Sequence, residues 1–68
     1  MSPIYLRVKE LREAKGWTQV DLSERSGVRR PTISAIENQQ TSGVDFDVLE
    51  RLADALGVDP ALLIARAR

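Results

Sequence analysis

The chain has 68 residues, carries ten basic and ten acidic side chains, and contains neither cysteine nor histidine. A chain this short forms one domain, taken as 1–68, and the missing residue types argue against disulfide bridges, the usual zinc sites and thiol or imidazole catalysis. The longest apolar run, 61–65, is far below the ~20 residues that a membrane span needs, and no secretory leader is expected.

Glycines and cap residues divide the first half of the chain into short predicted helices. The segment 4–15 has apolar residues at helical spacing and ends before Gly16, which readily takes the left-handed conformation of a helix end. Thr18, with Asp21 three residues later, forms a weak capping box for a second helix, and Gly27 marks the tight turn after it. The apolar stripe of the first helix is expected to contain Ile4, Val8, Leu11 and either Ala14 or Lys15.

Three further helices are marked in the same way. Pro31 is tolerated in the first turn of the third helix, Asp45 and Gly57 bound the fourth, and the pair Asp59 and Pro60 begins a fifth. Because no strand alternation appears, the predicted fold class is all-α, a compact five-helix domain. The helices are predicted over 4–15, 19–25, 30–38, 45–56 and 60–66. The inner stripe of the fourth is expected to contain Phe46, Leu49, Leu52, Ala53 and Leu56.

The segment 18–38 carries most of the functional information. Two short helices joined by a glycine-containing turn form a helix-turn-helix, whose second helix enters the major groove of DNA. The third helix has an apolar back formed by Ile33 and Ile36, and its opposite face carries Arg30, Pro31, Ser34 and Ala35. The neutral net charge argues mildly against nucleic-acid binding, but residues 1–44 have a small basic excess and 45–68 a matching acidic one.

Five runs of residues occur in a characteristic order and spacing. They are Leu11–Gln19, Leu22, Ser26–Val28, Pro31–Asn38 and Leu49–Pro60. Together they closely resemble the Cro/phage-repressor-type helix-turn-helix family, also called the xenobiotic-response-element type, over about residues 4–64. The resemblance implies a lambda-repressor-like domain that binds double-stranded DNA in the bacterial cytoplasm, associated with the nucleoid when bound, without a metal or cofactor.

The resemblance also implies roles for individual residues. Gln19 matches a glutamine that touches a phosphate and supports the recognition helix, and Thr18 is the cap beside it. Asn38 matches a residue that contacts the DNA backbone. Arg12 and Glu37 match an internal ion pair that locks the first helix to the third. The base-reading positions of the family fall on Arg30, Pro31, Ser34 and Ala35.

Each contact has a less functional alternative. Arg30 is the leading base reader because arginine pairs bidentately with guanine, but it could also bind a phosphate or face solvent. Arg29 is expected to contact a phosphate; it stands where the family commonly has a Ser or Thr cap. Thr32 reaches DNA or bonds its own backbone. Ser34 reads a base or only keeps the surface small, and Ala35 touches a thymine methyl or only leaves room.

The last predicted helix suggests self-association. Leu62, Leu63 and Ile64 lie in an apolar run that one helix face cannot bury entirely, so they are the predicted interface of a homodimer. The alternative is that Leu62 packs back on the first helix near Ile4 or Tyr5. In a dimer, two recognition helices would meet successive major grooves of a near-palindromic site.

Three classes of function follow from these features. The leading hypothesis is a sequence-specific transcriptional regulator, a dimeric repressor such as a phage repressor, a restriction–modification controller or an antitoxin, with no small-molecule effector. The alternative is a protein-interaction module of the same fold, which the neutral charge favours and the adjacent Arg29 and Arg30 oppose. An enzyme is not expected, because no convergent acid pair or glycine-rich loop is present. Trp17 is assigned to the core rather than to base stacking.

Overall fold

The computed structural model describes residues 4–40 and 44–66, which form a mostly helical domain with four α-helices. In chain order the elements are β1 (Ile4–Leu6), α1 (Val8–Ala14), α2 (Gln19–Ser26), α3 (Arg30–Glu37), α4 (Phe46–Leu56), a 3-10 turn (Pro60–Leu63) and β2 (Ile64–Arg66). The all-α class with five helices was therefore wrong in its fifth helix and in its lack of strands. Within the described residues, no helix has the length and apolar character needed to cross a membrane.

The two ends of the described chain pair as an antiparallel ribbon, β1 with β2. Ile4 lies opposite Arg66 and Leu6 lies opposite Ile64. The first predicted helix was therefore wrong in its opening turn, and α1 begins only at Val8. Strands this short carry no alternation signal of their own, and the hydrogen-bond partners of each lie at the other end of the chain.

The predicted fifth helix, 60–66, is a single 3-10 turn followed by a strand. Asp59 caps this segment and Pro60 begins it, as predicted. The turn ends at Leu63, because 3-10 hydrogen-bond geometry is poor and seldom continues beyond one turn. From Ile64 the backbone is extended and pairs with β1.

The apolar core is formed by the helices and closed by the 3-10 turn. Leu63, predicted to lie in the dimer interface, is fully buried within this chain, so that assignment was wrong. Its burial follows from the 3-10 turn, which packs against α4. The buried apolar residues are Leu6, Val8, Leu22, Val28, Ile33, Ile36, Leu52, Ala53, Leu56 and Leu63.

The predicted apolar stripes of α1 and α4 are correct in part. Val8 is buried and Leu11 partly buried, whereas Ile4, Ala14 and Lys15 are exposed. In α4 the buried stripe does not include Phe46, whose side chain is 84% exposed. Phe46 is the first residue of the helix, and no described element covers that turn. Its large apolar side chain is therefore available at the surface.

Candidate nucleic-acid interface

The site is built on α2, α3 and the turn between them. α2 begins with a complete capping box: Thr18 Oγ1 accepts from Asp21 N at 3.0 Å, and Asp21 Oδ2 accepts from Thr18 N at 2.9 Å. The backbone bond from Thr18 lowers the pKa of Asp21, so the cap is charged at neutral pH. α2 ends at Ser26 and is followed by Gly27, whose φ of +74° suits a residue without a Cβ.

Side chains inside the turn fix its shape. The Val28 side chain is buried in the core. Ser23 Oγ donates to Val28 O at 2.7 Å, and Val28 N donates to Ser26 Oγ at 3.1 Å. The turn is therefore held both by packing and by hydrogen bonds from α2, which sets the direction in which α3 leaves it.

α3 buries one face and presents the other. Ile33 and Ile36 are fully buried, as predicted. On the opposite face Arg30 and Pro31 are exposed, and two short side chains further along the helix are half-buried. The half-buried pair is Ser34 and Ala35. At Ser34 and Ala35 the side chains project little from the outer face of the helix, which lets a large ligand approach the helix backbone.

The first turn of α3 is open and basic. Arg29 occupies the N-cap position with an extended backbone, and its side chain makes no capping bond. Both Arg29 and Arg30 are exposed, and within the described residues neither forms an ion pair. Their charges add to the positive end of the helix dipole, so this end of α3 is suited to an anion.

The last turn of α3 is tied to α1 and α2 through Glu37. Arg12 Nε donates to Glu37 Oε2 at 2.7 Å and Arg12 Nη2 donates to Oε1 at 2.9 Å, which makes a bidentate ion pair. Gln19 Nε2 donates to Oε1 at 3.1 Å, and Arg12 Nη1 donates to Trp17 O at 2.7 Å. The Glu37 side chain is only 4% exposed, so this network is shielded from water.

The ion pair shifts the ionisation of both members. The hydrogen bond that Arg12 donates to Glu37 raises the pKa of Arg12. Burial alone would raise the pKa of Glu37, but hydrogen bonds from Arg12 and Gln19, with the nearby positive charge, outweigh it and lower that pKa. Both groups are therefore charged at neutral pH.

Several predicted contact residues lie together. Thr18, Gln19 and Arg30 line one shallow depression of about 440 Å³, with Trp17 beside them. The start of α2 and the start of α3 therefore face the same space. Asn38 is the exposed residue directly after α3, and its backbone N–H donates to Ser34 O at 3.0 Å.

Thr32 lies to one side of this arrangement. It is half-buried and lines a pocket of about 190 Å³ together with Arg29. Arg51 of α4, which the sequence analysis did not single out, lines the same pocket and pairs with Asp47 at 2.9 Å. The spacing of Asp47 and Arg51, one helical turn apart, was the available signal for that pair.

Trp17 has two cationic neighbours that the sequence analysis missed. The ring packs against the core, in keeping with its assignment. Lys15 Nζ lies 5.2 Å from the ring centroid and the guanidinium of Arg25 lies 4.4 Å from it, which are cation–π distances. The described residues contain no cluster of side chains suited to a metal ion.

Comparisons with known proteins agree with this geometry. Residues 8–63 match a family model described as helix-turn-helix. The restriction-modification controller protein C.AhdI from Aeromonas hydrophila has a similar structure, with a TM-score of 0.75 and 34% identity over 82% of this chain and 83% of that one. The master regulator for biofilm formation SinR, solved in complex with DNA, also has a TM-score of 0.75, with 29% identity over 81% of this chain and 87% of that one. No curated protein matched the chain.

Proposed function

The chain belongs to the Cro/phage-repressor-type helix-turn-helix family, and we infer that it is a DNA-binding transcriptional regulator that reads base pairs with α3. The observation that carries this inference is α3 itself, which has a buried apolar back, a low outer face and an open, doubly basic first turn. The similar proteins support it, since one is a restriction-modification controller and the other was solved on DNA.

Arg30 is the proposed base reader. Its exposed guanidinium stands at the first position of α3, from which recognition helices reach base edges, and it suits guanine O6 and N7. The three other residues proposed to face bases are Pro31, Ser34 and Ala35. Their small size brings the helix close to the groove floor, with the Ser34 hydroxyl as the second polar group.

The proposed phosphate contacts surround this face. Gln19 uses one amide hydrogen on Glu37, and its second remains for a phosphate oxygen near the open amides at the start of α2. Thr18 lies beside it, and Arg29 adds a charge before α3. Two further phosphate contacts are proposed for Thr32 and Asn38. These contacts supply affinity and register rather than sequence discrimination.

A homodimer is the proposed active form, through an interface that differs from the predicted one. An apolar groove of about 220 Å³ lies between α4 and the 3-10 turn. Its lining residues are Phe46, Leu49, Glu50, Pro60, Ala61 and Ile64. Phe46 is 84% exposed, and Leu62 and Ile64 are about half exposed. The proposed interface therefore contains Phe46, Leu62 and Ile64. It does not contain Leu63, which is buried within the chain.

Repression is the proposed output. Two α3 helices on a near-palindromic operator would occupy successive major grooves and exclude polymerase. The bacterial cytoplasm is the proposed compartment, as it is for regulators of this family. Neither an effector nor a catalytic step is part of the proposal.

Selection of bound duplexes from a random DNA pool tests base reading. We expect an inverted repeat containing G·C pairs, and Arg30→Ala should relax one position per half-site, at a cost of about 1–3 kcal/mol of discrimination. Arg7→Ala is the matched control, because it removes a half-buried arginine outside α3 whose one ion pair within the described residues is with Glu10. Unchanged specificity in Arg30→Ala would move base reading to another residue.

Salt dependence distinguishes DNA binding from a protein-interaction role. Each neutralised phosphate contributes a slope of about −0.9 to the plot of log affinity against log salt. A folded wild-type protein that enriches no sequence, and whose DNA binding lacks such a slope, would favour a protein partner for the exposed face of α3.

Analytical ultracentrifugation tests the dimer. We expect a dimer mass for the wild type, and a monomer mass for Phe46→Glu and Leu62→Glu, because a charge in an apolar interface is costly. Val20→Glu is the control, since Val20 is an exposed apolar residue of α2 outside the groove. A monomeric wild type would remove the dimer from the proposal.

A further inference from the structure

Gln39 has a backbone conformation that usually belongs to glycine. Its φ is +62°, and it is the one residue other than glycine with positive φ in the described part of the chain. Gln39 N donates to Ile36 O at 3.0 Å, and Gln40 N donates to Ala35 O at 2.8 Å. These bonds form a Schellman motif, in which a residue with a Cβ is disfavoured at the left-handed position. Another contact must therefore hold Gln39 there.

That contact is a two-bond clamp on β1. Gln39 Oε1 accepts from Leu6 N at 3.0 Å, and Gln39 Nε2 donates to Leu6 O at 3.2 Å. Arg7 N donates across the ribbon to Leu63 O at 2.8 Å, so the backbone groups of Leu6 point away from β2. The Gln39 amide therefore takes the place that a third strand would occupy.

Leu6 connects this clamp to the proposed dimer face. It lies directly opposite Ile64 in the register of the ribbon. Ile64 is half exposed and lines the apolar groove together with Phe46. A short path of direct contacts therefore runs from the end of α3 through Leu6 and Ile64 to that groove.

We propose that Gln39 is a positioning residue that sets the angle between α3 and the dimer face, and thereby the spacing of the two DNA half-sites that the dimer accepts. The proposal rests on the proposed function, since it assumes a dimer with one α3 in each half-site. Gln39 acts through β1 and needs no contact with DNA. Its effect is therefore confined to operators that engage both copies of α3.

Gln39→Met tests the proposal, because methionine keeps the length of the side chain and removes both bonds. The probes are the selected operator, the same operator with one base pair inserted at its centre, and a single half-site duplex, measured by fluorescence anisotropy. We expect affinity for the half-site to stay within about twofold, and affinity for the operator to fall about fivefold, the effect of roughly one net hydrogen bond. The preference for the native spacing should fall by a similar factor.

Two further variants separate positioning from folding. Gln39→Gly removes the clamp and relieves the positive φ, so it should melt no lower than Gln39→Met and still lose the spacing preference. Gln40→Met alters the neighbouring glutamine, which makes no side-chain hydrogen bond within the described residues, and should keep that preference. Hydrogen exchange at the Leu6 amide should accelerate in both Gln39 variants only.

Specific outcomes would overturn the proposal. One is a Gln39→Met protein that keeps the wild-type spacing preference. Another is an equal loss on the half-site and on the operator, which would mean that Gln39 acts on α3 alone. A monomeric Gln39→Met protein would mean that it acts on assembly rather than on angle. A wild-type protein that binds none of the duplexes would instead remove the proposed function, and the positioning role with it.

Discussion

The two ends of α3 are built in opposite ways. At the first turn Arg29 makes no capping bond, and the two arginines there are exposed and unpaired within the described residues. At the last turn Glu37 is held by Arg12 and Gln19, and Gln39 is bound to Leu6. The two arginine side chains at one end of the helix therefore make no capping bond or ion pair within the described residues, whereas the other end is bonded to three different elements.

This difference shows how a small domain can divide binding from stability. Capping the first turn with a hydroxyl would strengthen the helix, but it would remove a positive charge from the end proposed to meet phosphate. Fastening the last turn lets the helix keep its direction without that cap. Changes at the last turn should therefore alter folding most, and changes at the first turn should alter DNA binding most.

The largest expected effect comes from removing Glu37. Glu37→Ala leaves Arg12 shielded without its partner and frees Gln19, which should cost about 3 kcal/mol. A chain of this size is stable by only roughly 5 kcal/mol, so we expect it to be near unfolding at 37 °C. Urea denaturation followed by the fluorescence of the single tryptophan, Trp17, measures this. The double variant Arg12→Met with Glu37→Met is the control and should recover most of the lost unfolding free energy. A Glu37→Ala protein as stable as the wild type would contradict a stabilising role for the ion pair.

Acid should weaken the ion pair between Arg12 and Glu37. The pKa of Glu37 is lowered in the folded chain, so its contribution is complete above about pH 4.3, the pKa of an unperturbed glutamate. It is lost as the pH falls through the lower folded value. Comparing the unfolding free energy of the wild type with that of Glu37→Gln from pH 7 to pH 3 should show a difference that shrinks with acid. A difference that does not change with pH would count against a charged pair.

A capping residue placed at the first turn of α3 tests whether that end of the helix serves DNA binding rather than stability. Arg29→Ser introduces a hydroxyl at the N-cap of α3 and should stabilise the domain by about 1 kcal/mol. The same variant should weaken DNA binding and reduce the salt slope by about 1, because one phosphate contact is lost. Asp45→Ala is the converse control, since it removes the matching cap bond of α4, away from the proposed DNA face, and should lower stability without weakening DNA binding. Stability and affinity that rise together in Arg29→Ser would show that Arg29 has no role in binding.

The smallest effect on folding is expected at Asn38, which lies between the bonded residues Glu37 and Gln39. Its side chain makes no hydrogen bond within the described residues, so Asn38→Ala should change the unfolding free energy by less than about 0.5 kcal/mol. Affinity should nevertheless fall by a similar factor on the operator and on unrelated DNA, as expected for a backbone contact. Equal affinities for wild type and variant would assign Asn38 to the helix end alone.

Local chemistry explains what the sequence predicts well in this chain. Gly27 and the capping pair Thr18 and Asp21 each act within a few residues of their own position, and the structure has them as predicted. The faces of α3 follow from its period, which places Ile33 inside. Resemblance to the family supplied the pairing of Arg12 with Glu37, which is present at 2.7 Å.

The misplaced features depend on contacts between distant segments. β1 and β2 are short and exist only as partners, so each was read as part of the helix beside it. Leu63 is buried because the 3-10 turn that it ends packs against α4, and Phe46 is exposed because no described element covers the first turn of α4. The Gln39 clamp has no sequence signal at all, since glutamine is not expected at positive φ.

The ribbon of β1 and β2 has a consequence for the order of folding. Its pairing closes a loop around the whole described chain, whereas α2 and α3 meet across a turn of a few residues, so the ribbon has the larger closure entropy. We expect it to form last, and Ala65→Gly should therefore speed unfolding and leave the folding rate nearly unchanged in stopped-flow fluorescence. A newly made chain would then acquire the proposed DNA-reading half first, and it would pass through an interval in which that half is folded and the proposed dimer face is not.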